Sequence, residues 1–441
     1  MRQQGEQNSC GVEKECGACQ HVGQPYALQL ADKDERIRSL FEDAGLTVGD
    51  MRSIIGMDDP YHYRNKVISP FAPGRNADVA FSDANSGAGD AFQSRSERAG
   101  KLRGKGVKSG RRANQGKAER GARRAEILTG MYAAHSHRLV RTDDCLLENE
   151  QAKAVIQAIR SIMVKHNMAP YNEDTGTGFV RHAVVRVGHN SGEVLVTVVT
   201  NGEEFPASKS FCKELLRRCP FVTTVVQNVN TRRTNVILGQ KEKRLYGPGF
   251  ILDTLCGLSF RISAQSFYQV NAVQTEVLYE QAMALARLDD ARTVIDAYCG
   301  TGTIGLVAAC RGNAQVIGVD SVESAIRDAR ENARHNNVEN TRFVVGDAGA
   351  FMREYAAGGE QAADVVFMDP PRAGSSEQFL DALVSHGPSR VVYVSCNPAT
   401  LVRDLSVLTG RGYGIEVVQP VDMFPHTDHI ETVVSLSRRS S

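Results

Sequence analysis

From about Asp289 onward, short apolar runs alternate with amphipathic stretches: TVIDAYC, TIGLVAACR, AQVIGVD, VESAIRDARENARHN, RFVVGDA, DVVFMDP, RVVYVSC, EVVQPVDMF and ETVVSLS. Apolar strands alternating with helices bury both faces of a parallel sheet, so this half of the chain is expected to be α/β. Ligands in such sheets bind beyond the carboxyl ends of the strands. The chemically distinctive residues of this half fall at those ends.

The rest of the chain is organised differently. From about Pro73 to Arg124 Gly, Ser, Ala, Asn and Arg dominate, and KLRGKGVKSGRRANQGKAERGARR is almost without apolar side chains. Such a segment cannot bury enough surface to offset its ordering entropy and reads as a disordered basic insertion. It is either an electrostatic tether for RNA or a tolerated loop expansion. The flanking YRNKVISPF and MYAAHSHRLV look like two strands of one unit pushed apart. In LENEQAKAVIQAIRSIMVKH, Ala154, Val155, Ala158, Ile159, Ile162 and Met163 recur at helical spacing and give one buried face. FVRHAVVRVG, EVLVTVVT, TTVVQNVN, TNVILG and LSFRISAQSF then predict a small antiparallel sheet domain.

The first strand of the α/β half ends in Asp296-Ala297-Tyr298-Cys299-Gly300-Thr301-Gly302-Thr303. Its glycines let a ligand approach the backbone at a helix N-terminus. The turn departs from the G-x-G-x-x-G of dinucleotide folds. The second strand ends at Asp320, placed to accept hydrogen bonds from ribose hydroxyls, and the third at Gly346-Asp347, suited to an adenine amino group. Both aspartates could instead only cap the helices that follow. Together these strand ends resemble the S-adenosylmethionine methyltransferase pattern.

Strand four ends in Asp369-Pro370-Pro371-Arg372. Amino-directed methyltransferases carry an aromatic residue after a similar Asp-Pro-Pro, so the arginine disfavours N-methylation. Strand five ends in Ser395-Cys396-Asn397-Pro398, which sets a thiol at a strand terminus. Cys396 is either an inert core residue or a nucleophile whose pKa the helix N-terminus after it is expected to lower. Uracil C5 is a poor carbon nucleophile until a thiolate adds to C6, and a base must afterwards remove the C5 proton. Glu431 in His429-Ile430-Glu431 is the candidate base, its plain alternative being a surface carboxylate on an edge strand. His426 and His429 are alternative bases or RNA contacts, and Asp369 is expected to orient the base or the cofactor.

SFYQVN at 266–271, DAYCGTGTIGL at 296–306, DPPRAG at 369–374, VSCNP at 394–398 and HTDHIETV at 426–433 resemble the bacterial RNA uracil-5-methyltransferase family. The resemblance implies a C-terminal Rossmann-like catalytic domain with Cys396 as nucleophile and Glu431 as proton acceptor. It also implies that Gln269, Tyr298, Asp320 and Asp369 bind S-adenosylmethionine, with Thr303 and Asp347 nearby. The family usually shows glutamate where Asp320 stands. Cys10, Cys16 and Cys19, with the distant Cys145, resemble the four-cysteine iron–sulfur site of the ribosomal RNA members. The residues alone leave zinc equally open, and the resemblance implies a [4Fe–4S] cluster. It further implies that a helix at about 29–50 packs against the catalytic domain.

The expected division is an N-terminal Cys-cluster segment and helix (1–72), the basic insertion (73–124), a central α+β domain that completes the cluster and binds RNA (125–265), and the catalytic domain (266–441). Two or three domains suit 441 residues of which 41% are hydrophobic and 23% charged. A net charge of +1 argues against a protein that coats nucleic acid. No run of about 18 apolar residues appears and the N-terminus lacks a signal-peptide stretch, so a cytoplasmic protein with no membrane partner is expected. Cysteines in that compartment read as thiols, metal ligands or catalytic groups. The expected partner is RNA, specifically 23S ribosomal RNA, and the expected state a monomer. Transfer RNA is the alternative substrate; a non-catalytic RNA-binding assembly factor is the alternative of another class. Arg181, His182, Arg186 and Arg261 are candidate RNA-backbone contacts.

Overall fold

The computed structural model describes residues 10–74, 126–133, 136–357 and 361–439. Of the stretch expected to be disordered, all but Pro73 and Gly74 lies outside them. The helix Tyr26–Asp43 buries Gln29, Lys33, Ile37 and Phe41, a period of four residues that forms one stripe. Ile37 and Phe41 join the catalytic core, where full burial of such side chains stabilises by roughly 1.5–3 kcal/mol each. β1 (Val48–Met51) then pairs parallel with a strand more than 360 residues downstream, Val48 against Ile415. The N-terminal segment is thus built into the catalytic sheet.

β2 (Lys66–Pro73) and β3 (Ile127–Thr129) pair antiparallel, Phe71 against Thr129, so the basic stretch leaves and re-enters one unit as expected. MYAAHSHRLV is not one strand, because β4 (Met131–Tyr132) folds back on β5 (Leu139–Val140). The helix Glu150–Lys165 starts at Asn149, whose side chain accepts from the backbone N–H groups of Gln151 and Ala152. Its buried stripe holds Ala152 and Ile156 beside Val155, Ala158, Ile159, Ile162 and Met163, whereas Ala154 is exposed.

β6 (Val180–Val187), β7 (Val194–Thr200), β8 (Val222–Val229) and β9 (Lys241–Tyr246) complete a six-stranded sheet in the order β3-β2-β6-β7-β8-β9. The sheet is mixed rather than antiparallel, because the helix Ser208–Arg218 carries the chain across and lays β8 parallel to β7. TNVILG is a loop, since the Asn230 amide donates to the carbonyls of Val236 (2.6 Å) and Ile237 (2.9 Å) and holds the segment out of the ladder. LSFRISAQSF is also not part of this sheet. β10 (Phe250–Leu255) and β11 (Leu258–Ser263) form a separate ribbon whose Ile251, Phe260 and Ile262 join the catalytic core.

β12 (Thr293–Ala297), β13 (Gln315–Asp320), β14 (Thr341–Val345), β15 (Val365–Met368), β16 (Arg390–Ser395), β17 (Tyr413–Val421) and β18 (Glu431–Arg438) join β1 in an eight-stranded sheet. Its order is β1-β17-β18-β16-β15-β12-β13-β14. The strands from β12 to β16 are parallel, and β18 inserts antiparallel between β16 and β17. The direct loop 422–430 reverses the chain without a crossover, so the sheet is parallel-rich rather than wholly parallel. Helices 272–286, 303–311 and 323–335 cover one face and helices 26–43, 348–357, 377–386 and 398–410 the other. This is the expected Rossmann-like α/β arrangement.

Candidate active site

A cleft of about 710 Å³ opens at the carboxyl ends of the parallel strands. That lies within the ~300–1,000 Å³ typical of small-ligand pockets. Gln269, Tyr298, Thr303, Asp320, Asp369, Cys396 and Glu431 all line it. They come from the loop after β11 and from the ends or starts of five strands or their following helices, so only the assembled sheet brings them together. Asp347 is not among the lining residues: its carboxylate accepts from the Ala350 N–H at 2.8 Å and caps the helix Ala348–Ala357.

The turn after β12 is conformationally demanding. Tyr298 and Gly302 adopt left-handed backbone angles, φ +65° and +81°. A Cβ at Gly302 would stand 2.9 Å from the Phe343 ring, so that position needs glycine for both conformation and space. Asp320 is already engaged, accepting from the N–H groups of Gly300 (3.0 Å) and Val322 (2.8 Å). Thr303 opens the helix Thr303–Arg311 and its hydroxyl meets the Tyr279 hydroxyl at 2.8 Å.

Carboxyl groups gather in and beneath this cleft, with Arg327 and Arg372 as the cations of its lining. Asp296 is fully buried; one carboxylate oxygen accepts from the Gly305 N–H at 2.8 Å and the other has no partner. Burial and the nearby Asp369 and Asp320 push its carboxyl up to about 8. Burial raises Asp369 to about 7 and holds Glu431, with help from Asp369, well above the ordinary glutamate range. A cationic ligand in the cleft would favour the charged forms of Asp369 and Glu431, which line it. S-adenosylmethionine, with a sulfonium and an ammonium, fits that requirement, and Asp320 beyond a glycine turn fits its ribose.

Cys396 sits half-buried between β16 and the helix Pro398–Gly410. Asn397 caps that helix and donates to the Arg372 carbonyl at 3.0 Å, which ties the thiol-bearing turn to the Asp369–Arg372 turn. The expectation that the helix N-terminus lowers the thiol pKa is overturned. Burial, then Glu431 and Asp369, push it up to about 11, against the smaller opposing effect of Arg372. Sequence reasoning used Arg372 only to disfavour N-methylation and missed that it is the cation beside Cys396 and Glu431. It also passed over Phe267, which lines the cleft with two-thirds of its surface exposed; an aromatic residue inside SFYQVN was the available signal.

Other candidates take structural roles. His426 is buried and stacks on Tyr61 at 5.0 Å, outside the cleft lining. The His429 imidazole lies 3.2 Å from the Arg372 guanidinium. Arg181, His182 and Arg186 are buried rather than presented as surface contacts: Arg181 packs on Tyr171 and donates to the carbonyls of Asn230 and Arg232, and Arg186 donates to that of Ser266. Arg261 pairs with Glu331 and stacks on Phe250.

Cys10, Cys16, Cys19 and Cys145 line one pocket with Arg64, although 125 residues separate Cys145 from its nearest sequence neighbour in the set. Burial and mutual repulsion with the other three raise the Cys19 thiol to about 12, and Arg64 opposes the rise. Among the described residues no group of three or more His, Cys, Asp or Glu side chains is arranged to hold a metal ion. Likewise, no described helix is long and apolar enough to cross a membrane.

Comparison with known proteins agrees with this geometry. The tRNA (uracil-5-)-methyltransferase family model matches residues 254–439. An uncharacterized RNA methyltransferase of Halalkalibacterium halodurans is 39% identical over 98% of this chain and 83% of its own length. One from Bacillus cereus is 37% identical over 97% of this chain and 82% of its own. The crystal structure of Pyrococcus abyssi tRNA (uracil-54, C5)-methyltransferase with S-adenosyl-L-homocysteine superposes with a TM-score of 0.69 at 25% identity, covering 95% of this chain and 84% of that one. The chain therefore belongs to the bacterial family of S-adenosylmethionine-dependent RNA uracil-5-methyltransferases.

Proposed function

We propose that this protein methylates C5 of a uridine in 23S ribosomal RNA, with Cys396 as nucleophile and Glu431 as base. The observation that carries the chemistry is the convergence of Cys396, Glu431 and Asp369 in one cleft with the glycine turn of β12. The Cys396 thiolate adds to C6 of an everted uracil, and the electron pair moves to C5 as an enolate. Gln269, Tyr298, Asp320 and Asp369, with Thr303 beside them and Asp347 behind the lining, would hold S-adenosylmethionine, whose methyl C5 would take as the sulfonium leaves as the thioether S-adenosylhomocysteine. Glu431 then takes the C5 proton, the C5–C6 double bond re-forms and the thiolate leaves. A carboxylate needs a high pKa to accept that proton, and the burial of Glu431 supports the role. Arg372 favours the thiolate that adds.

For the four cysteines the reading is a [4Fe–4S] cluster. The reading is supported by the four thiols lining one pocket and by the resemblance of their pattern to the iron–sulfur site of the ribosomal RNA members. Iron and sulfide analysis of anaerobically purified protein tests this, and stoichiometric zinc without sulfide would refute it.

The choice of 23S RNA rests on the resemblance of this cysteine set to the ribosomal RNA members. The structural match to the P. abyssi transfer RNA enzyme favours a second reading, a uridine in tRNA. Methyl transfer to in vitro transcripts of both RNAs, with the 5-methyluridine mapped, separates them. Methylation of 23S RNA alone is expected, and methylation of tRNA alone would reverse the assignment.

A further inference from the structure

The loop 422–430 reverses the chain into β18 and delivers Glu431, yet it has no secondary structure of its own to fix that delivery. Buried backbone groups must find partners, so its hydrogen bonds reveal what holds it. At its start the Asp422 N–H donates to the Ile55 carbonyl at 2.8 Å, and Lys33 donates to the Phe424 carbonyl at 3.2 Å. In the middle, the Tyr63 hydroxyl donates to the Pro425 carbonyl (3.0 Å) and the Gln29 side chain accepts from the His426 N–H (3.0 Å). The His21 N–H then donates to the His426 carbonyl at 3.1 Å. At the end nearest Glu431, the Asp428 N–H donates to the Gln20 side chain (3.2 Å) and Arg36 donates to the Asp428 carbonyl (3.1 Å).

These partners all lie between Gln20 and Tyr63; Asn271 and Gln274 add donors only at the first two loop residues, to the Met423 (3.0 Å) and Asp422 (3.1 Å) carbonyls, so from Phe424 to Asp428 it is the N-terminal segment that reads the loop backbone from outside. A buried ion pair between Lys33 and Asp422, 2.7 Å apart with Tyr26 also donating to Asp422, pins its start. Beyond Asp428 the loop continues to His429, which contacts Arg372, and then to Glu431. We propose that residues 20–63 act as a template that aims Glu431 for removal of the C5 proton, with Arg36 and Asp428 as positioning residues. Gln20 directly follows Cys19, so whatever orders the four-thiol pocket orders this contact too.

The inference rests on the base role of Glu431, and it makes a step-specific claim. Misaiming the base slows breakdown of the Cys396–C6 adduct after methyl transfer, while formation of that adduct does not need the base. Arg36 is exposed, as is half of the Asp428 side chain, whose carboxylate meets the His21 imidazole at 2.7 Å; Arg36→Ala/Asp428→Ala removes these two side-chain tethers and is expected to fold. Turnover on uridine RNA should fall about 10- to 100-fold, part of the ~10²–10⁴ that a positioned base contributes. A denaturant-resistant adduct with ordinary uridine RNA should appear, and the rate of adduct formation with 5-fluorouridine RNA should stay within about twofold. Arg36→Lys, which keeps the donor, should restore most of the turnover. Unchanged turnover in the double variant, or a fluorouridine adduct rate that falls along with turnover, would overturn the template. A wild-type protein that forms no fluorouridine adduct would instead remove the underlying reading of Cys396.

Discussion

The raised pKa of Cys396 has a measurable consequence in the protein without its methyl donor. At about 11 against an ordinary 9.0, the thiolate fraction near pH 8 is lower by about 100-fold, one power of ten per unit. Intrinsic nucleophilicity rises with pKa, with a Brønsted slope of ~0.4–0.5, which returns a little under tenfold. Cys396 should therefore react with an aromatic disulfide roughly ten times more slowly than an unperturbed thiol. Its rate should climb about tenfold per pH unit up to about pH 10 and level off only near pH 11. Two neighbours push in opposite directions, so Glu431→Gln should speed the reaction at fixed pH and Arg372→Ala should slow it. Peptide mass spectrometry after timed quenching reads Cys396 separately from the other nine cysteines. A rate that levels off below pH 9, or a Glu431→Gln variant that reacts more slowly, would refute the electrostatic account of this thiol.

Gly302→Ala forces a side chain into a left-handed position facing Phe343, so it should lose ~1–3 kcal/mol and weaken S-adenosylmethionine binding measured by calorimetry. Phe267→Ala removes an exposed ring from the cleft; loss of a base stack worth ~1–3 kcal/mol should raise KM for RNA far more than it lowers kcat. Lys33→Met leaves the Asp422 carboxylate buried without its cation and should cost about 3–5 kcal/mol, read by denaturant unfolding. Deleting residues 76–124 should lower RNA affinity and flatten its dependence on salt, and an unchanged slope would exclude a tethering role for that basic stretch.

The α/β half was legible because its strands are apolar throughout and its helices are periodic, and because ligand residues gather at strand ends for topological reasons. Cys396, Asp369 and Asp320 could be placed from that rule alone. The central domain was less legible where side chains outside the local pattern decide. Asn230 holds TNVILG out of the sheet, and the helix Ser208–Arg218 turns a meander into a parallel pair. Electrostatics were least legible. The helix N-terminus argued for an acidic Cys396, but burial, and after it two carboxylates at the ends of β15 and β18, outweigh it, and no sequence window contains all of these. Arg181 and Arg186 illustrate the same limit, since basic side chains on a strand read as RNA contacts, whereas the fold buries them.

The central claim is covalent attack by one sulfur on a pyrimidine ring. It is tested most directly by incubating the protein with S-adenosylmethionine and RNA carrying 5-fluorouridine, then locating the attached nucleotide by peptide mapping. The account predicts a methylated fluorouridine adduct on Cys396 in the wild type and none in Cys396→Ala. Attachment at Cys299 or another cysteine, or methyl transfer to uridine RNA that survives in Cys396→Ala, would contradict it.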